Sequence, residues 1–325
     1  MPKPPLISIL ICTRDRALHL RETMAAIGNL DFPDDLPCEI IVVDNGSSDE
    51  TPHVVKNAAS QFRSLEIRYL HEGQLGLCVA RNAALAASRG EMILFTDDDI
   101  RPGANWLRGM STPLVNDEAD AVAGGVRLAS HLERDWMTTT HRGYFACSNH
   151  CSGVPGALIG ANMAFSRRVL EKVPAFDTEL GPGRPGFALG FADDTLFSFQ
   201  VKEAGFRFHG AWDAKVEHHF DASRLSREAL RNRALQQGRS MAYVWHHWLH
   251  ATQSATSLRL ALRKAQLGVL QLRSGKNNST KVEGCSLREA QLLENIGFYQ
   301  QFSIEARRPR QYSRRGLVKL DSPGT

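Results

Sequence analysis

Three consecutive carboxylates, Asp97-Asp98-Asp99, follow directly on the apolar run Met92-Ile-Leu-Phe-Thr96. Carboxylate oxygens at the carboxyl edge of a buried strand are suited to a hard cation and, through it, to an anionic ligand. Taken alone, the triplet could equally be a solvated acidic turn that caps a helix opened by Pro102. The elements around it decide between the two.

Leu6 to Cys12 is a continuous apolar run of strand length, and Leu20, Met24 and Ile27 then recur at helical spacing until Phe32-Pro33. Ile40 to Val43 is a second buried strand. Ser47-Ser-Asp-Glu50 has the form of a capping box for a helix with Val54, Val55, Ala58 and Phe62 on one face. Leu65 to Leu70 reads as a third strand, Val79 to Ala87 as a helix and Met92 to Thr96 as the fourth strand. Short connections between alternating strands and helices imply right-handed crossovers and a parallel sheet. Ligands bind beyond the carboxyl ends of such strands, where this chain has Thr13-Arg14-Asp15, Asp44-Asn45-Gly46 and the acidic triplet.

Composition narrows the class. A chain of 325 residues, 42% apolar and 23% charged, is long enough for one large or two small domains with a well-buried core. The net charge of +4 is mild and gives no reason to expect a nucleic-acid partner, but Arg and Lys dominate after Arg224. No run approaches the roughly 20 apolar residues of a membrane span, so a cytoplasmic location, with peripheral membrane contact as an option, is expected. Scattered cysteines read as reduced thiols, and His141, Cys147, His150 and Cys151 fit no standard zinc spacing. The first strand lacks Gly-x-Gly-x-x-Gly and there is no P-loop, which disfavours dinucleotide and P-loop phosphotransfer chemistry. An acidic residue after the second strand can accept from a base imide or ribose.

Ser8 to Arg16, Ile41-Val-Val-Asp-Asn-Gly-Ser-Ser-Asp-Glu-Thr51, Gly76-Leu-Cys-Val-Ala-Arg-Asn-Ala-Ala84 and Phe95-Thr-Asp-Asp-Asp99 together resemble, in order, the opening motifs of the family-2 inverting glycosyltransferases. The resemblance implies the α/β GT-A fold, a mostly parallel Rossmann-like sheet flanked by helices, and transfer from a nucleotide-diphospho-sugar, UDP-sugars being favoured. It places Thr13, Arg14, Asp44, Asn45 and Arg81 around the nucleotide, with Asn45 replacing the second Asp of the usual pair. It puts Asp97 near the ribose, Asp99 on a Mg²⁺ or Mn²⁺ ion, and Asp98 in support of the turn. Gly190-Phe-Ala-Asp-Asp-Thr-Leu-Phe197 resembles the family's Gly-x-Glu-Asp segment, which implies Asp194 as general base with Asp193 binding the acceptor or orienting its partner. Adjacent carboxylates leave the choice between them open.

By the same resemblance, Asn162 in Gly160-Ala-Asn-Met-Ala-Phe-Ser-Arg167 reaches a donor hydroxyl, and a His within Lys215-Val-Glu-His-His-Phe220, which ends another predicted strand, is an extra metal ligand. His218 and His219 face opposite sides of an extended chain, and His218 is favoured. Gly181-Pro-Gly-Arg-Pro-Gly186 reads as a mobile loop.

The catalytic domain is expected over 1–224, its nucleotide-sugar half over 1–126 and its acceptor half over 127–224, followed by a helical, basic region over 225–325. There Arg239, in Gln237-Gly-Arg239, resembles a diphosphate contact. Leu258, Ala261, Leu262, Ala265, Val269 and Leu272 form a stripe on a basic amphipathic helix, which docking onto the catalytic domain would bury or a lipid surface would cover. Ser274 to Thr280 reads as a polar linker, and Ala306 to Thr325 as a mobile tail. The expected acceptor is a hydroxyl of a glycan, a lipid-linked glycan or another carrier.

Overall fold

The computed structural model describes residues 7–30, 32, 33, 35–148, 151–186, 189–279 and 283–320. In chain order the elements are β1 (Ile7–Thr13), α1 (Ala17–Gly28), β2 (Cys38–Asp44), α2 (Thr51–Gln61), β3 (Glu66–His71), α3 (Leu77–Ala87), β4 (Met92–Asp97), β5 (Ile100–Pro102) and α4 (Trp106–Val115). Then come β6 (Ala121–Leu128), α5 (Thr139–Gly143), β7 (Asn162–Ser166), α6 (Asp193–Glu203), β8 (Phe208–His218), α7 (Arg227–His247), α8 (Thr256–Ser279) and α9 (Leu287–Glu305). The strands form one sheet in the order β3-β2-β1-β4-β7-β6-β8-β5.

The β3-β2-β1-β4 half is parallel, as strands joined by single helices must be. Beyond β4 the sheet is mixed: β7 runs antiparallel to both β4 and β6, β8 is parallel to β6, and β5 lies antiparallel on β8. Side chains alternate across the strands. Ile9 and Ile11 pack with Leu20, Met24, Val54 and Trp106 on one face. Leu10, Ile41 and Phe95 pack with Ala80, Ala84 and Phe197 on the other.

Several local expectations need correction. The helix after β2 starts at Thr51, too late for Ser47 to cap it; Asp49 instead accepts from the Thr51 and Ala17 amides and so steadies the starts of both α2 and α1. The chain from Pro102 does not enter a helix directly, because Ile100 to Pro102 pair with β8 first. The polar stretch 274–279 continues α8 rather than forming a linker, while Thr280 lies outside the described residues. No helix among the described residues is long and apolar enough to cross a membrane.

The tail is not loose over its described part. Asp177, buried ahead of α6, accepts from Tyr243 Oη at 2.6 Å, Tyr312 Oη at 2.8 Å, Lys319 Nζ at 2.7 Å and the Glu179 amide at 3.0 Å. Trp248 adds a bond from its indole nitrogen to the Gly316 carbonyl. A buried carboxylate needs such partners, and Tyr312 has an aromatic ring to bury; together they override the tail's polar composition.

α7 and α9 cross closely because glycine faces backbone on both sides. A Cβ at Gly238 would lie 1.8 Å from the Glu294 carbonyl oxygen, and one at Gly297 would lie 2.1 Å from that of Leu235. Neither obstacle is a movable side chain. Gly238→Ala is therefore expected to lower stability by about 3 kcal/mol in urea unfolding, despite the better helix propensity of alanine. An unchanged midpoint would contradict the close crossing.

Candidate active site

Register brings the site together. Cys12 lies beside Asp97 and Thr13 beside Asp44, so β1, β2 and β4 end at one level. Antiparallel pairing of β5 with β8 sets Ile100 opposite His218, and the His219 amide donates to the Asp99 carbonyl at 2.7 Å. Above this edge lies a cavity of about 870 Å³. Its walls include Thr13, Arg14, Asn45, Arg81, Asp97, Asp98, Asp99, Asp193, Asp194 and His218 from the sequence reading.

Asp97, Asp99 and His218 are the one group among the described residues whose His, Cys or carboxylate atoms converge as cation ligands would, within 4.8 Å of one another. Asp99 Oδ2 meets Arg16 at 2.5 Å and Arg224 at 3.4 Å. Its Oδ1 is 3.1 Å from His218 Nε2 but poorly aligned, and it has no hydrogen-bond partner among the described residues. His218 Nδ1 lies 2.9 Å from the Phe145 carbonyl, which can only accept, so that nitrogen carries the proton. Asp99 and His218 make with Asp97 an oxygen, oxygen and nitrogen donor set of the kind a divalent cation takes. His219 faces away, 2.8 Å from Glu217.

The three carboxyls differ. Burial works against ionised Asp99, yet His218, Arg16 and Arg224 hold it well below the usual carboxylate range. Burial, with the charge of Asp99 beside it, raises Asp97. Asp98 is pushed up to about 7 by burial, against the pull of Arg16. Both Asp98 oxygens are used within the protein, accepting from Thr13 Oγ1 and Arg16, each at 2.6 Å. Asp98 therefore fixes the turn and Arg16 from within the cavity wall.

Opposite this cluster, the backbone enters α6 through Ala192 in the left-handed region, φ 64°. Asp193 pairs with the buried Arg81 guanidinium, which lies 5.4 Å from the Phe176 ring centroid. Arg81 is thus committed to Asp193. Asp194 accepts from the Gly160 amide at 3.0 Å. Burial and then the charge of Asp193 raise its carboxyl to about 6, although Arg81 pulls the other way. A Cβ at 160 would stand 2.6 Å from an Arg81 nitrogen, so a larger residue there would displace the guanidinium paired with Asp193.

Other residues differ from expectation. Asn162 is fully buried and saturated: it donates to the Gly125 and Ala214 carbonyls and accepts from Trp106. It joins core strands to α4 and lines no part of the cavity. Arg239 points into a separate cleft with Ser257 and Gln300. Asp44 sits behind the wall, accepting from the Ser47 amide and Tyr69. Asn45 donates to the Glu72 and Gln74 carbonyls and accepts from the Gly76 amide. An aspartate could not donate to those two carbonyls, which accounts for Asn where the family pattern has Asp. Arg14 reaches the Gly183 carbonyl, and Leu77 donates to Pro182, so the glycine-rich loop is tied at its start; Phe187 and Ala188 lie outside the described residues.

Sequence reasoning missed Arg16, Arg224, Arg233, Gln236 and Gln237, all in the cavity wall. Arg16 could have been found, two residues beyond the cited Arg14. Arg233 donates to the Tyr144 carbonyl and lies over Phe145 and Phe191. Burial and the neighbouring Arg224 charge push it down to about 9, a strain on the cation that an incoming anion would relieve.

A parallel half-sheet continued by mixed strands, with an acidic turn at its carboxyl edge, defines the GT-A class. Residues 8–174 match the family model for glycosyl transferase family 2, and the chain belongs to that family. Glycosyltransferase AglE of Haloferax volcanii is 32% identical over 123 residues, 38% of this chain and 40% of that protein. The probable glycosyltransferase YdaM of Bacillus subtilis is 27% identical over 239 residues, 67% of this chain and 52% of that one. The chain thus spans about half the length, or less, of these curated relatives. Among solved structures, the mannosyltransferase PcManGT of Pyrobaculum calidifontis, in complex with GDP-Man and Mn²⁺, superposes with a TM-score of 0.57 at 19% identity, over 94% of this chain and 87% of its own. TarS 1-349 of S. aureus in complex with UDP gives 0.51 at 15% identity, over 95% and 93%.

Proposed function

We propose that the protein is a metal-dependent, inverting glycosyltransferase that moves a sugar from a nucleotide-diphospho-sugar to an acceptor hydroxyl. One observation carries the reading: a cation-ligand cluster, Asp97, Asp99 and His218, shares a cavity with Arg224, Arg233 and the Asp193-Asp194 pair. Asp99 and His218, with Asp97, would hold Mg²⁺ or Mn²⁺, which when bound offsets charge on the departing diphosphate. Arg224, beside Asp99, and Arg233 line the same cavity and would face the same anion. Asp194 takes the acceptor proton as the acceptor oxygen bonds to the anomeric carbon, and the bond to the phosphate oxygen breaks with its electron pair leaving on the nucleotide. Arg81 engages the Asp193 carboxylate, which leaves Asp194 as the base. Donors bound by the solved neighbours, GDP-Man in one and UDP-GlcNAc in another, support a nucleotide-sugar donor. Glycan or glycolipid assembly is the favoured setting, in line with relatives named as a succinoglycan biosynthesis protein and a β-monoglucosyldiacylglycerol synthase.

The test is turnover of a panel of UDP-, GDP- and dTDP-sugars with and without Mn²⁺. Release of one nucleoside diphosphate, dependent on metal and promoted by a sugar or glycolipid acceptor, is expected. Donor binding without release in any combination would replace the reading with an inactive sugar-nucleotide-binding module.

A further inference from the structure

α8 has two apolar sides, and the richer one is uncovered. Leu260, Leu267 and Leu270 are half-buried on the side where the helix packs on α9. Leu258, Leu262, Val269 and Leu272 lie outward, 72%, 52%, 46% and 84% exposed. This is the stripe that docking was expected to bury, so the helix sits the other way round. At 100° per residue the four fall within about 80° of arc and extend over about 21 Å of helix. A contiguous exposed stripe of this kind, unlike a lone surface leucine, calls for an occupant.

Charge identifies it. Exposed Arg259 and Arg273 flank the stripe on one side and Lys264 on the other, and the sequence of α8 contains no Asp or Glu. A second copy paired through this face would bring like charges together. An anionic lipid surface meets both needs, since the leucines enter the acyl boundary while aliphatic stems lie alongside and carry their charges to the phosphates. We propose that the outer face of α8 docks the protein on an anionic membrane. α9 is packed between α8 and α7, and α7 supplies Arg233, Gln236 and Gln237 to the cavity wall. Docking therefore uses the side of the helical layer away from the reacting groups, and it stands whether or not the chain transfers sugar.

The full chain should float with phosphatidylcholine vesicles containing phosphatidylglycerol, float less as salt is raised, and stay down with phosphatidylcholine alone. Leu262→Glu with Leu272→Glu should weaken that partition by at least about tenfold. Both positions are exposed, so an unchanged circular dichroism spectrum separates lost docking from unfolding. Arg259→Gln with Lys264→Gln should leave less salt dependence. Failure of the wild type to float with the anionic vesicles would overturn the proposal, as would equal flotation of the double glutamate variant. A lipid-free dimer abolished by the glutamates would also overturn it, assigning the face to a second copy.

Discussion

Asp99→Asn is expected to lower metal-dependent sugar transfer by about a thousandfold, the loss that follows when several kcal/mol of charge stabilisation is withdrawn. The carboxylate is fully buried, meets Arg16 and Arg224 through one oxygen, and turns the other to His218 Nε2. Asparagine keeps the shape and removes the charge. Mn²⁺ affinity, measured calorimetrically in the presence of nucleoside diphosphate, should fall with the rate. Unchanged Mn²⁺ affinity in the variant would remove Asp99 from the metal site. Some stability will also be lost, because two guanidiniums lose a buried counter-charge. A melting curve on the same sample separates that loss from the catalytic one.

Asp194→Asn should cost about a thousandfold in turnover with little change in donor binding, since a base acts on the acceptor proton and not on the nucleotide. The wild-type pH profile tests the same residue from another side. Burial and the charge of Asp193 raise its carboxyl to about 6. A base works deprotonated, so the rate should climb as pH rises through about 6 and level off above it, falling about tenfold per unit on the acid side. The asparagine variant should lose that acid limb. If the limb persists there, another group is the base, and Asp193→Asn becomes the next variant.

Much of the nucleotide-facing half was legible because it depends on strand ends. β1, β2 and β4 are apolar runs, crossover rules order them in parallel, and the residue after each run must then stand on one edge. The second half was harder because β7 and β8 enter the sheet by long-range pairing. Asn162 illustrates the problem. Nothing in Gly160-Ala-Asn-Met records that the side chain turns into the core, because its partner Trp106 lies 56 positions earlier. Arg224 and Arg233 line the cavity from the chain after β8, a placement that no local pattern encodes. The stripe on α8 was visible as a stripe, but periodicity cannot say which of two apolar sides a helix will bury. The tail was misread for a related reason: composition predicts solvation, but Tyr312 and Lys319 donate to the buried Asp177.

That arrangement at Asp177 makes the order of folding a matter for the site. Lys319 and Tyr312 lie 142 and 135 positions from the carboxylate they reach, so closing these contacts carries the entropy of a long loop and belongs late in folding. Until they close, Asp177 lacks part of its counter-charge and favours water over burial. In a chain emerging from the ribosome, the segment leading to Asp193 and Asp194 would settle only after residue 319 is free. A nick near Tyr312 would then register as a catalytic lesion, although none of the cavity's lining residues lies in that stretch.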